Sequence, residues 1–302
     1  MLRAAREFFA KRGVLEVETP ILSAASVADP QIESLTTHVA GMPAPLYLCT
    51  SPEYAMKRLL AAGSGDIYQI CKVFRDAERG RWHNPEFTLV EWYRLGFDDA
   101  QLMVEAEALI GDMLAPYRRL APAEHLTYAA ALRQHAGVDA YASTDAELMD
   151  SAARHGIQCH AQLDRDAKLD LLMGFVVTPR LGLERPCFIV DYPASQAALA
   201  RLKPGLPPVA ARFELFLDGV ELANGFHELI DGAEQRTRFA EDLRTRQARG
   251  QVQPPLDERL LAALAEGLPD CAGVALGFDR LVALAIGATR IDDAMAFTID
   301  NA

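Results

Sequence analysis

The 302-residue chain predicts an α+β fold, a mixed and mostly antiparallel sheet flanked by helices. Three observations predict it. From Glu86 to Leu95 the residues alternate with period two: Phe87, Leu89, Glu91, Tyr93 and Leu95 share one face, and Glu86, Thr88, Val90 and Trp92 the other. Between Phe213 and Leu229 stand two hairpin signals, Asp218-Gly219 and Asn224-Gly225. Helical spacing recurs at Leu2, Ala5, Phe8 and Phe9, and again at Leu102, Ala106, Leu109 and Met113. No internal repeat, low-complexity tract or linker breaks the chain, so residues 1–302 read as a single domain with ample length for a core.

In chain order, residues 2–12 form an amphipathic helix that Gly13 stops, and Val14 to Val17 a short strand before Pro20. Residues 23–45 are irregular and polar, a long loop ordered only against something else. Leu46 to Leu48 is a short strand, and Pro52 opens a helix that runs to about Ala62. Ile67 to Phe74 is a strand that delivers the chain into a polar loop. A helix spans Asp98 to Tyr117, and three more lie near Tyr128–His135, Thr144–His155 and Asp164–Val177. Cys187 to Val190 and Arg212 to Leu217 are strands, and Ala233 to Arg249 is a charged surface helix. Cys271 to Leu276 is a buried strand, ended by Gly277 and a helix.

Composition narrows the function. Half of the residues are hydrophobic and 24% charged, the balance of a soluble globular enzyme. No apolar run approaches the ~20 residues that span a bilayer, and no signal-peptide pattern precedes the first charges. Five scattered cysteines without a CxxC spacing argue against a zinc site and for reduced thiols in a cytoplasm. A net charge of −12 argues against stable nucleic-acid binding.

Four stretches can carry chemistry. After Phe74 the loop holds Arg75, Arg79, Arg81 and His83, guanidiniums suited to phosphate. Glu91 then interrupts an apolar strand face. It reads either as one solvated acid on an edge strand or as the floor of a pocket, where a carboxylate and the Tyr93 phenol await a cation. Thr50-Ser51-Pro52-Glu53 lies at a strand-to-helix junction, which suits either a plain helix start or a carboxylate aimed into a cleft. Glu221 and Glu228 are seven apart, so both face one site only if the backbone bulges near Asn224-Gly225; the alternative is a solvated hairpin. Two convergent carboxylates suit a magnesium ion or an amine. Gly277 permits close backbone approach, and Arg280 falls in the following helix's first turn, where dipole and guanidinium both favour phosphate. No glycine-rich phosphate loop is present, and no histidine–carboxylate constellation points to a nucleophile.

Together these stretches resemble the class II aminoacyl-tRNA synthetase catalytic domain. Its first motif is similar to Gly13 through Pro20, its second to Phe74-Arg75 with His83-Asn84-Pro85-Glu86-Phe87, and its third to Gly277-Phe278-Asp279-Arg280. Ser51-Pro52-Glu53, Glu91-Trp92-Tyr93 and Glu221 through Leu229 resemble the lysine branch. Within it the likeness is greatest to the elongation factor P–(R)-β-lysine ligases, a family of stand-alone catalytic domains. The chain spans the three motifs, and the resemblance implies a catalytic domain without an anticodon-binding barrel. Ala275 stands where lysyl-tRNA synthetases usually have glycine, and a one-carbon change of shape is worth only ~1–3 kcal/mol of preference.

The resemblance implies ATP and Mg2+ as cofactors, lysine or β-lysine as substrate, elongation factor P as protein acceptor and a homodimer. It implies that Arg75 bridges the substrate carboxylate and the α-phosphate. Arg280, Arg81 and His83 hold the outer phosphates, and Glu221 and Glu228 bind magnesium. Asp76, Ala77, Asn84, Leu222 and Gly277 surround the nucleotide. Glu91 and Tyr93 receive the side-chain ammonium and Glu53 the other amine. Ser51, Pro52, Asn224, Phe226, Glu228 and Ala275 complete the amino-acid site. One departure is Ala77, where the family carries a glutamate for adenine; either Glu78 serves through a shifted loop or backbone groups read the base. The rival readings are a lysyl-tRNA synthetase paralogue charging RNA, an asparagine-synthetase-like enzyme, which Glu91 opposes, and a non-catalytic regulator.

Overall fold

A computed structural model describes all of residues 1–302. Helix α1 (Leu2–Ala10) buries Ala5, Phe8 and Phe9, and Gly13, at φ +69°, turns the chain where a side chain would strain. Strand β1 (Leu15–Glu16) follows. The loop beyond it contributes β2 (Leu22–Ser23) and β3 (Thr36–Thr37), which flank β4 (Leu46–Leu48). Helix α2 (Glu53–Ala61), capped by Pro52, precedes the antiparallel pair β5 (Ile67–Phe74) and β6 (Glu86–Leu95).

Helix α3 (Asp99–Leu114) packs Leu102, Ala106, Leu109 and Met113 as the spacing predicts. Strand β7 (Glu124–Thr127) leads into α4 (Tyr128–Ala136), which starts on the Thr127 hydroxyl and ends at left-handed Gly137. Helix α5 (Asp145–Arg154) opens on a capping box of Thr144 and Glu147. Helix α6 (Arg165–Leu172) starts on Asp164 and widens into a π-turn at Met173–Val177. Strands β8 (Cys187–Pro193), β9 (Leu202–Lys203), β10 (Val209–Leu217) and β11 (Val220–His227) come next. Then α7 (Gly232–Ala248) and α8 (Glu258–Gly267) begin on Asp231 and Asp257, and β12 (Cys271–Gly277) runs into α9 (Phe278–Ala285). No helix is long and apolar enough to cross a membrane.

The chain forms two compact units, residues 1–98 with 228–302, and residues 99–227. In the first, the strands run β1-β5-β6-β12, with β1 parallel to β5 and the rest antiparallel. Glu91 stands opposite Gln69 on β5 and Ala275 on β12, and Tyr93 opposite Gly273. Phe9 stacks on Tyr68 at 4.2 Å between ring centroids and leans on Trp92 at 5.4 Å, so α1 seals one side of the strands. In the second unit, the order is β11-β10-β8-β7, with β9 on the flank of β10, over a core that includes Tyr128, Leu132, Leu148, Leu172, Ile189 and Phe216.

Several expectations are refined. Asp218 and Gly219, at φ 52° and 73°, make the tight hairpin turn. Asn224-Gly225 does not turn: Asn224 pairs with Glu214 and Gly225 with Phe213 inside β11. The bulge lies at Leu222, where the register skips between Leu215↔Ala223 and Phe216↔Glu221. It shifts the alternation, so Glu221, Asn224 and Phe226 are partly accessible while Val220, Leu222, Ala223 and Gly225 are buried. Helix α7 is not purely a surface helix. Its Arg246, 2% exposed, donates to the carbonyls of Asp29, Ile32 and Val252 and meets Glu33 at 2.7 Å, which pins the long polar loop. Gly182, at φ +69°, has no room for a methyl, since a Cβ would stand 2.6 Å from the Phe216 carbonyl. Gly182→Ala is therefore expected to cost on the order of 2–3 kcal/mol, read as a fall of several degrees in calorimetric Tm.

Candidate active site

The first unit gathers a buried acid-rich cluster. Glu91 is 2% exposed on β6, and both of its oxygens are engaged: Tyr93 Oη donates to Oε1 and Ser51 Oγ to Oε2, each at 2.8 Å. Ser51 Oγ also accepts the Glu53 N–H at 3.0 Å, so the start of α2 orients the same hydroxyl. Desolvation pushes the Glu91 carboxyl up to about 8, Glu53 adds repulsion, and the Tyr93 and Ser51 bonds oppose the rise. Glu228, 1% exposed, rises to about 8 for the same first reason, with Lys57 opposing.

Lys57 is the residue that sequence reasoning missed. It is 1% exposed, with Nζ 2.7 Å from Glu53 Oε1 and 2.7 Å from Glu228 Oε2. Burial alone would depress its pKa, but the two carboxylates outweigh burial and raise it. The i,i+4 spacing of Glu53 and Lys57 was a visible signal, though it ordinarily marks a surface pair. Gly273 was also missed. A Cβ there would stand 2.2 Å from Tyr93 Cε1 and 2.5 Å from Glu228 Oε1, so only glycine lets those two side chains sit where they do. Ala275, across from Glu91 and partly accessible, adds its methyl to the same face.

Beside the pocket, the arginine loop forms a second cluster. The Arg75 guanidinium lies 5.1 Å from the Phe87 ring, donates to the Thr50 carbonyl at 3.3 Å and is 3.8 Å from Glu78. Glu78 reaches His83 Nε2 at 3.2 Å, and Arg280 Nη2 meets the same nitrogen at 2.7 Å while Arg280 Nε donates to the Trp82 carbonyl. Asp279 accepts the Thr88 N–H at 2.6 Å and latches the start of α9 to β6. Gly277 is the N-cap of α9, so Arg280 stands in its first turn as the sequence predicts. Asp76 accepts the Ala77 N–H, and Ala77 sits at φ 59°, a left-handed residue at the loop's turn. Glu78, offered for adenine, bridges Arg75 and His83 in this structure.

Two members of the loop point elsewhere. Arg81 donates to the Thr289 carbonyl at 2.7 Å, and Asn84 donates to the Glu86 carbonyl and accepts the Ile299 N–H at 3.0 Å. Both side chains tie the loop to the C-terminal segment. Glu221, Leu222, Asn224 and Phe226 belong to β11 of the second unit. There, Glu214 emerges as another acid that was missed: it is partly buried, pushed up by desolvation and by Glu221 against the opposing pull of Arg212, which stands 2.5 Å away.

The raised Glu91 carboxyl yields a signed prediction. A carboxyl whose folded pKa is raised binds more protons in the folded state than in the unfolded, so its contribution to stability falls as pH rises from the unfolded value near 4.5 to about 8. Glu91→Gln should raise the Tm of the ligand-free protein at pH 8.5, leave it nearly unchanged at pH 5, and weaken binding of an amine ligand measured by calorimetry.

A family model described as tRNA synthetases class II (D, K and N) matches residues 1–301. Curated relatives named elongation factor P–(R)-beta-lysine ligase match closely. The protein of Edwardsiella ictaluri (strain 93-146) is 49% identical over 308 residues, covering 100% of this chain and 94% of that protein. Those of Salmonella arizonae and Salmonella paratyphi B are each 49% identical over 305 residues, covering 98% of this chain and 92% of theirs. With a buried acid pocket, an arginine-lined loop and a helix-borne arginine on matching motifs, the chain belongs to the class II tRNA synthetase family of the D, K and N type.

Proposed function

We propose that this protein activates (R)-β-lysine, or lysine, with ATP and transfers it to a lysine side chain of elongation factor P. The observation that carries the reading is Glu91, a buried acid with Tyr93 and Ser51 on its oxygens and Glu53 and Glu228 nearby. Such a cluster is costly unless a cation meets it, and an amino acid with two amines supplies one. The names of the relatives support the same acceptor.

In the first step a substrate carboxylate oxygen attacks the α-phosphorus of ATP, and the bond to pyrophosphate breaks. Arg75, stacked by Phe87, orients that attack, and Arg280 with His83 balances the charge on the departing phosphates. In the second step a neutral lysine amine of the acceptor attacks the adenylate carbonyl, AMP leaves, and the amine proton passes to solvent. No covalent enzyme intermediate is needed. Magnesium, when bound, would neutralise the phosphates. No group of three or more acidic, histidine or cysteine side chains gathers as a metal site, so the ion would rest chiefly on phosphate oxygens, with Glu221 as the carboxylate the resemblance implies. Glu228 fits an amine better, because Lys57 contacts it within the acid pocket.

The reading carries a cytoplasmic location, with translation-factor modification as its setting. It also carries a homodimer through the first motif, where Leu2, Leu15, Ile21 and Leu22 are exposed apolar residues at 40%, 55%, 43% and 41%. Light scattering should then give twice the 33.0 kDa chain mass at micromolar concentration.

The test is pyrophosphate exchange with β-lysine, α-lysine and aspartate in parallel, followed by intact mass of elongation factor P. Exchange with β-lysine or lysine and a mass gain of one residue on the factor support the reading; label on tRNA but not on the factor overturns it. Arg280→Ala should lower exchange by at least about 100-fold, the ~3 kcal/mol typical of a lost transition-state charge contact.

A further inference from the structure

The acid pocket holds three carboxylates, Glu53, Glu91 and Glu228, and one internal cation, Lys57. The geometry around Lys57 is specific. Glu53 opens α2 and Lys57 lies one turn on, so a single helix turn presents both. Glu228 comes from a different stretch, anchored by its N–H to the Cys271 carbonyl at 3.0 Å. The Lys57 ammonium therefore ties two distant segments of the chain at 2.7 Å on each side. Glu228 is set on both of its oxygens: Lys57 lies on Oε2, and the bare backbone of Gly273 lies against Oε1, where a Cβ would approach to 2.5 Å. Tyr93 is set by the same glycine and bonds Glu91. Lys57 and Gly273 thus fix the separation of the acids that line the pocket.

Resting on the functional reading above, we propose that Lys57 is a positioning residue for the amino-acid substrate. It holds Glu53 and Glu228 in place. Once the three acids ionise against a ligand, the one internal ammonium leaves room for two further positive charges, which favours an acid with two amino groups over an acid with one. Lys57 touches neither substrate nor nucleotide in this account and acts through the carboxylates.

Steady-state pyrophosphate exchange tests this, with (R)-β-lysine and with 3-aminohexanoate, the same acid lacking the terminal amine. Lys57→Met, close in length and uncharged, should raise KM for β-lysine at least tenfold, keep KM for ATP within twofold, and cut the preference for β-lysine over 3-aminohexanoate at least tenfold. Lys57→Arg keeps the charge but replaces a point ammonium with a planar fork, and should shift the same quantities in the same direction by less. Both are read on protein shown folded by circular dichroism. Unchanged KM for β-lysine in a folded variant overturns the proposal, as does a parallel rise in both KM values. Failure of both variants to fold also overturns it, leaving Lys57 a folding residue alone. A wild-type protein that exchanges with no diamino acid overturns the functional reading and this inference together, whereas an active wild type with indifferent variants overturns the inference alone.

Discussion

The constraint on which the first unit depends is the cost of keeping Glu91 out of water. A carboxylate on an apolar strand face loses its hydration, and neighbouring acids make the loss worse. The protein answers with two hydroxyl donors and no cation directly on Glu91. The cation within this cluster, Lys57, is engaged between Glu53 and Glu228. On the proposed function, the ligand-free cluster is electrostatically incomplete, and stability is given up for affinity toward a positively charged substrate. That trade is typical of sites whose function needs a group the rest of the fold would avoid.

The scaffold around this pocket is built to keep the incomplete arrangement from relaxing. Register places Glu91 between Gln69 and Ala275, and Tyr93 against Gly273, so both polar groups stand on one face of central strands. Tyr68 and Trp92, on the opposite face, are packed by Phe9 of α1. The arginine loop is held differently. Asp279 ties α9 to β6, and Arg280, His83, Glu78 and Arg75 form a chain of charged contacts along the loop. Arg81 and Asn84 fasten that loop to the C-terminal segment. A charged loop fixed at several points loses less entropy when it orders on an anionic ligand.

Much of this was legible in the sequence. The alternation of residues 86–95 placed Glu91 and Tyr93 on one face, and the strand-glycine-helix pattern placed Arg280 in a first turn. Both hold because period and helix boundaries are local properties. What escaped was non-local. Lys57 looks like one more helix charge until Glu228, far along the chain, meets it. Gly273 looks like a dispensable strand glycine until Tyr93 and Glu228 press on it from other segments. Asn224-Gly225 carries a strong turn signal, yet pairing with Glu214 and Phe213 keeps it extended, a case of tertiary context overriding propensity. Strand β7, a mostly exposed edge strand, has no apolar alternation to betray it, whereas α8 does carry a cap at Asp257 and apolar Leu260, Leu261 and Leu264 that mark it in retrospect.

The most direct test of the central claim is the proton balance of amine binding. Calorimetric titration of the protein with (R)-β-lysine at pH 7, in buffers of different ionisation enthalpy, counts protons exchanged on binding. A pocket acid held near 8 is mostly protonated before binding and must ionise to meet the ammonium. The account predicts net proton release at pH 7 that disappears above pH 9 and is diminished by Glu91→Gln. Binding with no proton release at pH 7, and with equal affinity in Glu91→Gln, would contradict it.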